Sequence, residues 1–192
     1  LAVALEKLKE ITGHDFQRIG LTATVGTPEK DGRLLAGSKR PFEILRVPVP
    51  KGYRYWIEWP QPNEDDFDLS TTLFSSPEAA ARIRTIKDLC DSYTSTLIFV
   101  NSRQVAEMLA LRLGLLDPKI GIHHGSLSRE ERTKIEDGFK KGLIKAIVCT
   151  STLELGIDIG TADLVIQYLS PRQVGPFIQR VGRSGHRLAL TS

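Results

Sequence analysis

The sequence predicts an open, parallel α/β sheet with helices on both faces, and three features carry that expectation. From residue 76 onward, apolar runs of five to eight residues, "TLIFV", "KIGIH", "KAIVC" and "ADLVIQYL", alternate with stretches of helical periodicity. Such runs suit strands buried on both faces, and strands separated by helices pair in parallel. The helical stretches carry their own start signals, Ser76 before Pro77 and a Ser128–Glu131 capping box. Each apolar run then ends in polar residues, "NSR", "HGS", "TST" and "SPRQ", at the edge where open sheets hold ligands. No segment repeats, which argues against a solenoid.

The elements follow in order. Leu1, Leu5, Leu8 and Ile11 recur at helical spacing and Gly13 supplies a stop, so the chain opens with an amphipathic helix. "FQRIGLTAT" is expected to form a short strand leaving into a loop. "TPEKDGRLLAG" is expected to form a short helix, capped by Thr27 with Pro28 at its first position and ending near Gly37. Residues 41–76 change character. Pro48, Pro50, Pro60 and Pro62 punctuate two strand-like runs, which fits edge strands in a stiff connector, because proline cannot donate to a central ladder. Then come the helix "SPEAAARIRTIKDLC" and the alternation of strands and helices, closing on a short helix at "STLELG", the strand "ADLVIQYL" and the helix "RQVGPFIQRVG".

Composition sets the outer bounds. With 192 residues, 41% hydrophobic and 26% charged, the chain can bury a core and reads as an ordinary globular sequence. No apolar run approaches the ~20 residues that cross a bilayer. No secretion signal is visible, so a cytoplasmic setting without a membrane partner is expected. Cys90 and Cys149 lie far apart, and Cys149 ends an apolar run, so both are expected to be reduced core thiols. The histidines have no ligand-like spacing beyond the pair His123 and His124, so no metal site is expected. Net charge of +3 does not decide for a nucleic-acid partner. Its distribution is uneven. Glu58, Glu64, Asp65, Asp66 and Asp68 cluster in the connector, while Ser170–Ser192 carries Arg172, Arg180, Arg183 and Arg187 and no acid. The two segments either serve separate roles or are solvated charge clusters. The chain begins at Leu1 and its only methionine is Met108, which predicts a piece of a longer protein.

The strand ends hold the candidate chemistry. Asn101 and Ser102 sit where a strand turns into a helix, a place that suits an anionic oxygen, although helix capping alone explains such residues. One strand later, Gly125 allows close backbone approach and Ser126 offers a hydroxyl. Arg129 opposes the helix dipole there and suits a ligand, whereas His124 fits a packed or exposed loop histidine better than a catalyst. Thr150, Ser151 and Thr152 end the third strand, and a Ser151–Glu154 capping box accounts for some of them. Asp158 interrupts the apolar stretch between Ile157 and Ile159, where its carboxylate suits a ribose hydroxyl or an arginine. Three such loops side by side fit the backbone of a single-stranded nucleic acid, and the lack of aromatic side chains in them points to binding largely independent of sequence. In "QRVGRSGHR" the arginines suit phosphate. Yet no G-x-x-x-x-G-K-[ST] loop occurs in the chain.

In this order, "LTATVG", "TLIFVNSR", "HHGSLSREER", "CTSTLELGIDIG" and "QRVGRSGHR" resemble motifs III, IV, IVa, V and VI of a superfamily two helicase. The wording is closest to the large helicase-related (Lhr) family, above all "STLELGIDIG" followed by "SPRQVGPFIQRVGRSGHR". The resemblance covers nearly the whole chain. It implies a C-terminal remnant of a first RecA-like domain in residues 1–40, an interdomain connector with edge strands in 41–76, and a second RecA-like domain in 77–192. By the same resemblance, Thr22, Ala23 and Thr24 couple nucleotide state to strand movement. Asn101, Ser102, Arg103, His124, Gly125, Ser126, Thr150 and Ser151 line the path of one nucleic-acid strand. Gly156 and Asp158 meet the ribose side of ATP, and Gln179, Arg180, Gly182, Arg183 and Arg187 face the nucleotide across a cleft. Arg183 is the implied arginine finger. Many relatives place a second arginine three residues after it, where this chain has His186 followed by Arg187; permanent charge favours Arg187.

The resemblance also implies what lies elsewhere. The phosphate-cradling loop and the magnesium-binding acidic motif belong to the first RecA-like domain and neither appears here. ATP and Mg2+ are therefore expected to be bound mainly by residues outside this chain, and the isolated chain is expected not to hydrolyse ATP. The implied partners are single-stranded nucleic acid, DNA rather than RNA in a repair role, and the remainder of the first RecA-like domain. Exposed Leu and Ile of residues 1–40 could drive dimerisation of the isolated chain. Two other readings stand beside this one. One is a non-catalytic nucleic-acid-binding module. The other is a nucleotide-binding enzyme of metabolism, against which the missing glycine-rich first turn counts.

Overall fold

In a computed structural model, the apolar runs become β1 (Thr96–Phe99), β2 (Ile120–His123), β3 (Ala146–Cys149) and β4 (Leu164–Gln167). They are hydrogen-bonded in the order β2-β3-β1-β4, and every pair is parallel. The structure describes residues 1–22, 27–37, 39–46, 54–154, 159–160 and 162–185. The chain divides into two units, Leu1–Tyr55 and Trp56–Ser192.

Burial follows strand position in the second unit. The central strands β1 and β3 are buried at every residue, whereas the edge strands β2 and β4 are only partly so. One face of the sheet packs Ile98, Val100, Ala146 and Val148 against α4 (Pro77–Ser92) and α5 (Arg103–Leu116), through Ile83, Ile86, Leu109 and Leu113. The other face packs Leu97, Phe99, Ile147 and Cys149 against Phe139 of α6 (Arg129–Lys140) and Leu153 of a 3-10 turn, Ser151–Leu153. Gly121 keeps β2 close to α6: a Cβ there would lie 3.2–3.3 Å from Ile135 and Ile144. Both cysteines are free and buried, and burial pushes the Cys90 thiol up to about 11.

Two helix starts match their signals, whereas Thr27 stands before the helix Pro28–Ala36 without a side-chain cap bond. Ser76 Oγ accepts from the Ala79 amide ahead of α4, and the Ser128–Glu131 capping box opens α6. At the carboxyl edge, the register lines up His123, Cys149, Phe99 and Gln167 in one row across the sheet. α7 (Val174–Val181) follows β4 and packs on it. Among the described residues no helix is long and apolar enough to cross a membrane.

The connector differs from expectation. Residues 41–46 and 54–63 form no strand, and α3 (Glu64–Thr72) occupies the polar stretch after them. Asn63 and Asp66 close a capping box on α3, and three acids fill its first turn, where the helix dipole favours them. The acidic cluster is thus a helix start. Asp66 is fully buried and takes Nε and Nη2 of Arg84 on α4 at 2.9 and 3.0 Å, which ties α3 to α4. Arg84, with the Asn63 amide, holds the Asp66 carboxyl below its ordinary range despite burial.

The first unit is held mainly by charge. α1 (Ala2–Thr12) ends at Gly13 in the left-handed region, and α2 (Pro28–Ala36) ends at Gly37. Among its described residues only Ala36 is buried. Glu6 takes Arg18 at 2.8 Å and Arg40 at 2.6 Å, and Arg40 also meets Asp15 at 3.0 Å. Arg40, with Arg18, holds the Glu6 carboxyl down to about 2. Both arginines also donate to the Ala36 carbonyl, satisfying the open end of α2. Residues 16–22 of the stretch expected as a strand are coil, because no other strand exists among the described residues of this unit to pair with them.

Replacing Asp66 by Ala leaves Arg84 only its 3.9 Å contact with exposed Asp88 and opens the capping box of α3. The expected cost at pH 7 is roughly 3 kcal/mol, the low end for a buried pair, because Arg84 keeps 32% of its side chain exposed. A carboxyl depressed in the fold stabilises above its unfolded value and loses that contribution as pH falls through the folded one. The gap between D66A and the unsubstituted chain therefore closes as pH drops below about 4, as urea denaturation at pH 7 and pH 3 would read.

Candidate functional site

Just beyond the carboxyl row, the loops stand in the order of the strands: His124–Ser126 after β2, Thr150–Ser151 after β3, Asn101–Ser102 after β1, and Ser170 after β4. Under them lies Arg180 of α7, only 5% exposed. Its Nε and Nη2 meet Glu154 Oε1 at 2.8 and 2.7 Å, and its Nη1 donates to Asn101 Oδ1 at 3.2 Å and Gln167 Oε1 at 2.7 Å. The guanidinium also lies 5.4 Å from the Phe99 ring centroid. One side chain thus joins α7, the ends of β1 and β4, and the turn after β3.

Its partners pass the constraint on. Asn101 Nδ2 donates to Ser170 O at 2.7 Å, and Gln167 Nε2 donates to Leu169 O at 2.8 Å. These bonds hold a loop with Leu169 and Arg172 at φ of 65° and 61°. Left-handed backbone at such residues costs about 1–2 kcal/mol each and persists where surroundings impose it. Glu154 faces both ways: its carboxylate takes Arg180, while its carbonyl accepts Nε and Nη2 of Arg183 at 3.2 and 2.8 Å. Arg183 is half-buried and, among the described residues, pairs with no carboxylate. Its main chain is fixed through Ala162, whose amide donates to Arg183 O and whose carbonyl accepts from Gly185 N.

Other expected residues divide by what they touch. Ser102 caps α5 by accepting from the Val105 amide, as helix capping requires. Arg103 Nη1 donates to Ser126 Oγ at 3.0 Å, joining loops whose strands have β3 between them. His124 is buried, with Nδ1 accepting from the Ser126 amide and Nε2 3.4 Å from Glu107, so its ring shapes its own loop. Gly125 and Ser151 are exposed, and Thr150 is half-buried at the end of β3. Gln179 is half-buried on α7, and Gly182 closes that helix through its amide to Ile178 O. Thr22 is exposed in the first unit. Ala23, Thr24, Gly156, Asp158, His186 and Arg187 lie outside the described residues.

The Ser151–Glu154 capping box is absent. Thr150 is the cap residue, without a side-chain bond, and Glu154 goes to Arg180, because a buried guanidinium is a stronger partner for a carboxylate than a turn amide. Sequence reasoning missed Glu154 and Gln167 as site-building groups. The signal was available: Gln167 is a polar residue inside the run "LVIQYL", the same reasoning that singled out Asp158. It also missed the pair of buried His123 and half-buried Glu136. Among the described residues no group of three or more His, Cys, Asp or Glu could hold a metal ion.

A parallel sheet covered by helices on both faces, with polar loops along its carboxyl edge, is the α/β architecture of a RecA-like domain. The model of the helicase conserved C-terminal domain matches residues 81–187, more than half of the chain, and the chain belongs to that family. It is 39% identical, along 98% of its length, to the ATP-dependent helicase Lhr-Core of Methanocaldococcus jannaschii, of which it covers 22%. Along its whole length it is 35% identical to the Lhr helicase/probable uracil glycosylase of Mycolicibacterium smegmatis, covering 15% of that protein. The structure of Mycobacterium smegmatis helicase Lhr bound to ssDNA and AMP-PNP matches with a TM-score of 0.83 and 36% identity, over 98% of this chain and 25% of that one. The chain therefore spans a quarter or less of these relatives.

Two arginines of one motif are expected to behave differently. Arg180→Ala strands the buried Glu154 carboxylate and should cost about 3–5 kcal/mol. Arg183→Ala removes a half-exposed bond to a carbonyl and should cost about 1 kcal/mol. Urea denaturation of the chain reads both; equal losses would contradict the division of labour.

Proposed function

We propose that this chain is the strand-gripping, ATP-sensing part of an ATP-dependent helicase or translocase that tracks along single-stranded DNA in repair or recombination. The observation that carries the reading is the holding of Arg183: a permanent charge, half-exposed, resting on the neutral Glu154 carbonyl beside a buried scaffold. A guanidinium held that way leaves its resting place for a phosphate at little cost, whereas Arg180, bound to a buried carboxylate, does not. The relatives named above, one of them bound to ssDNA and AMP-PNP, support the class of ligand.

In this reading residues 1–40 are the end of the first RecA-like domain, 41–76 the connector and 77–192 the second RecA-like domain. Exposed Leu1, Val3, Leu8 and Ile11 fit a face that meets the rest of the first domain and could dimerise the isolated chain. Arg103, Gly125, Ser126, Thr150 and Ser151, with amides near Asn101 and Ser102, face the strand backbone. Gly156 and Asp158 meet the ribose, Gln179 and Arg187 stand with Arg183, and Thr22–Thr24 couple the two. Mg2+ and the phosphates are held mainly by residues outside this chain. ATP draws the two domains together, Arg183 leaves Glu154 O for the γ-phosphate, and its charge stabilises the transferring phosphoryl group. Hydrolysis reopens the cleft and shifts the grip on the strand.

In the full-length protein, Arg183→Ala should lower the strand-stimulated kcat by about a thousandfold or more while the Kd for single-stranded DNA moves less than about threefold. Equal losses in both would overturn the finger role. The isolated chain should show no strand-stimulated ATP hydrolysis, and measurable turnover would count against the placement of the phosphate site outside it.

A further inference from the structure

His123 is the last residue of β2, fully buried on the α6 side of the sheet. Packing alone would accept an apolar residue there, and burying an imidazole requires partners for both nitrogens. It has them: Nε2 lies 2.8 Å from Glu136 Oε1 on α6, and Nδ1 lies 2.8 Å from Thr152 Oγ1 in the turn after β3. The Glu136 carboxylate accepts from Nε2, while the Thr152 hydroxyl pairs with Nδ1 and lies within reach of the His123 carbonyl as well.

The main chain of His123 reinforces the same turn. Its carbonyl accepts from the Thr150 amide at 3.3 Å and lies 3.3 Å from Thr152 Oγ1. His123 therefore grips both ends of Thr150–Thr152, with exposed Ser151 between them. The side-chain position of Gly125 in the other loop faces the same residue: a Cβ there would sit 3.8 Å from the Thr152 Cγ2 methyl. The Thr152 hydroxyl is tied to His123 at the end of β2, so Thr152 holds the turn after β3 at a set distance from the loop after β2.

We propose that Glu136, His123 and Thr152 form a positioning relay that fixes the separation of these two strand-binding loops, with Thr152 as its working end. The relay touches no nucleic acid itself; it rests on the reading that the two loops hold the strand. Buried polar networks fix one geometry when every member is satisfied, and a grip on successive phosphates depends on loop spacing.

The test uses the full-length protein carrying Thr152→Val, Thr152→Ser, Glu136→Gln or Arg103→Ala, with Kd measured on a single-stranded oligonucleotide and ATPase activity titrated with the same strand. Valine keeps the shape of threonine and removes the hydroxyl. T152V should weaken strand binding roughly two- to tenfold and raise the strand concentration for half-maximal activity by the same factor, with kcat at saturating strand shifted less than about twofold. T152S should bind as the unsubstituted protein does. E136Q, at the more exposed end of the relay, should give a smaller shift in the same direction, and it decides the matter if T152V does not fold. Unchanged binding by T152V, or by E136Q in its place, while R103A weakens it would overturn the relay. Equal weakening by T152V and T152S would also overturn it, because packing rather than the hydroxyl would then be at work. If R103A is silent as well, the strand-binding reading of the loops falls, and the relay with it.

Discussion

A guanidinium buried at the edge of an apolar sheet must find a carboxylate and further oxygens, or the fold bears an unpaired charge. Arg180 meets that demand by collecting Glu154, Asn101 and Gln167 from three separate segments. Each partner is thereby fixed relative to the others. The sheet supplies the platform, since its parallel register brings the four strand ends into one row. Arg180 then determines how the chain leaves that row on one side. Its neighbour Arg183 has a different duty because its acceptor is a main-chain carbonyl, which neutralises nothing.

On the other side of the row, His123 acts through the same physics with weaker partners. It ties β2 to α6 and to the turn after β3, and Arg103 bridges to Ser126 over that turn. The loop surface is therefore assembled from below by two buried polar groups. Exposed hydroxyls and amides can then face a ligand without having to hold their own loops.

Much of this was legible from the residues. The apolar runs of the four strands, helix caps at Ser76 and Ser128, and stops at Gly13 and Gly37 are local signals, and each stands where the sequence puts it. Strands outside the main sheet were not legible, because "FQRIG" and the proline-flanked runs are strand-like in composition but find no ladder among the described residues. The helix at Glu64 was hidden by its acidity, which reads as a loop until Asp66 is seen to have Arg84 as a buried partner. In the site, sequence reasoning located the polar loops but not the roles within them. Which arginine of "QRVGRSGHR" is buried depends on Glu154 and Gln167, residues distant in sequence that only the sheet brings together.

Arg180 couples the ends of β1 and β4, α7 and the turn after β3 as one cooperative unit. Amide hydrogen exchange in the chain carrying Arg180→Lys tests this coupling most directly, because lysine keeps the charge but cannot span three acceptors. Protection is expected to fall together at Glu154, Tyr168 and Gly182, while Ile98 and Val148 in the central strands keep theirs. Loss confined to α7, with the turn and the end of β4 unchanged, would contradict the coupling.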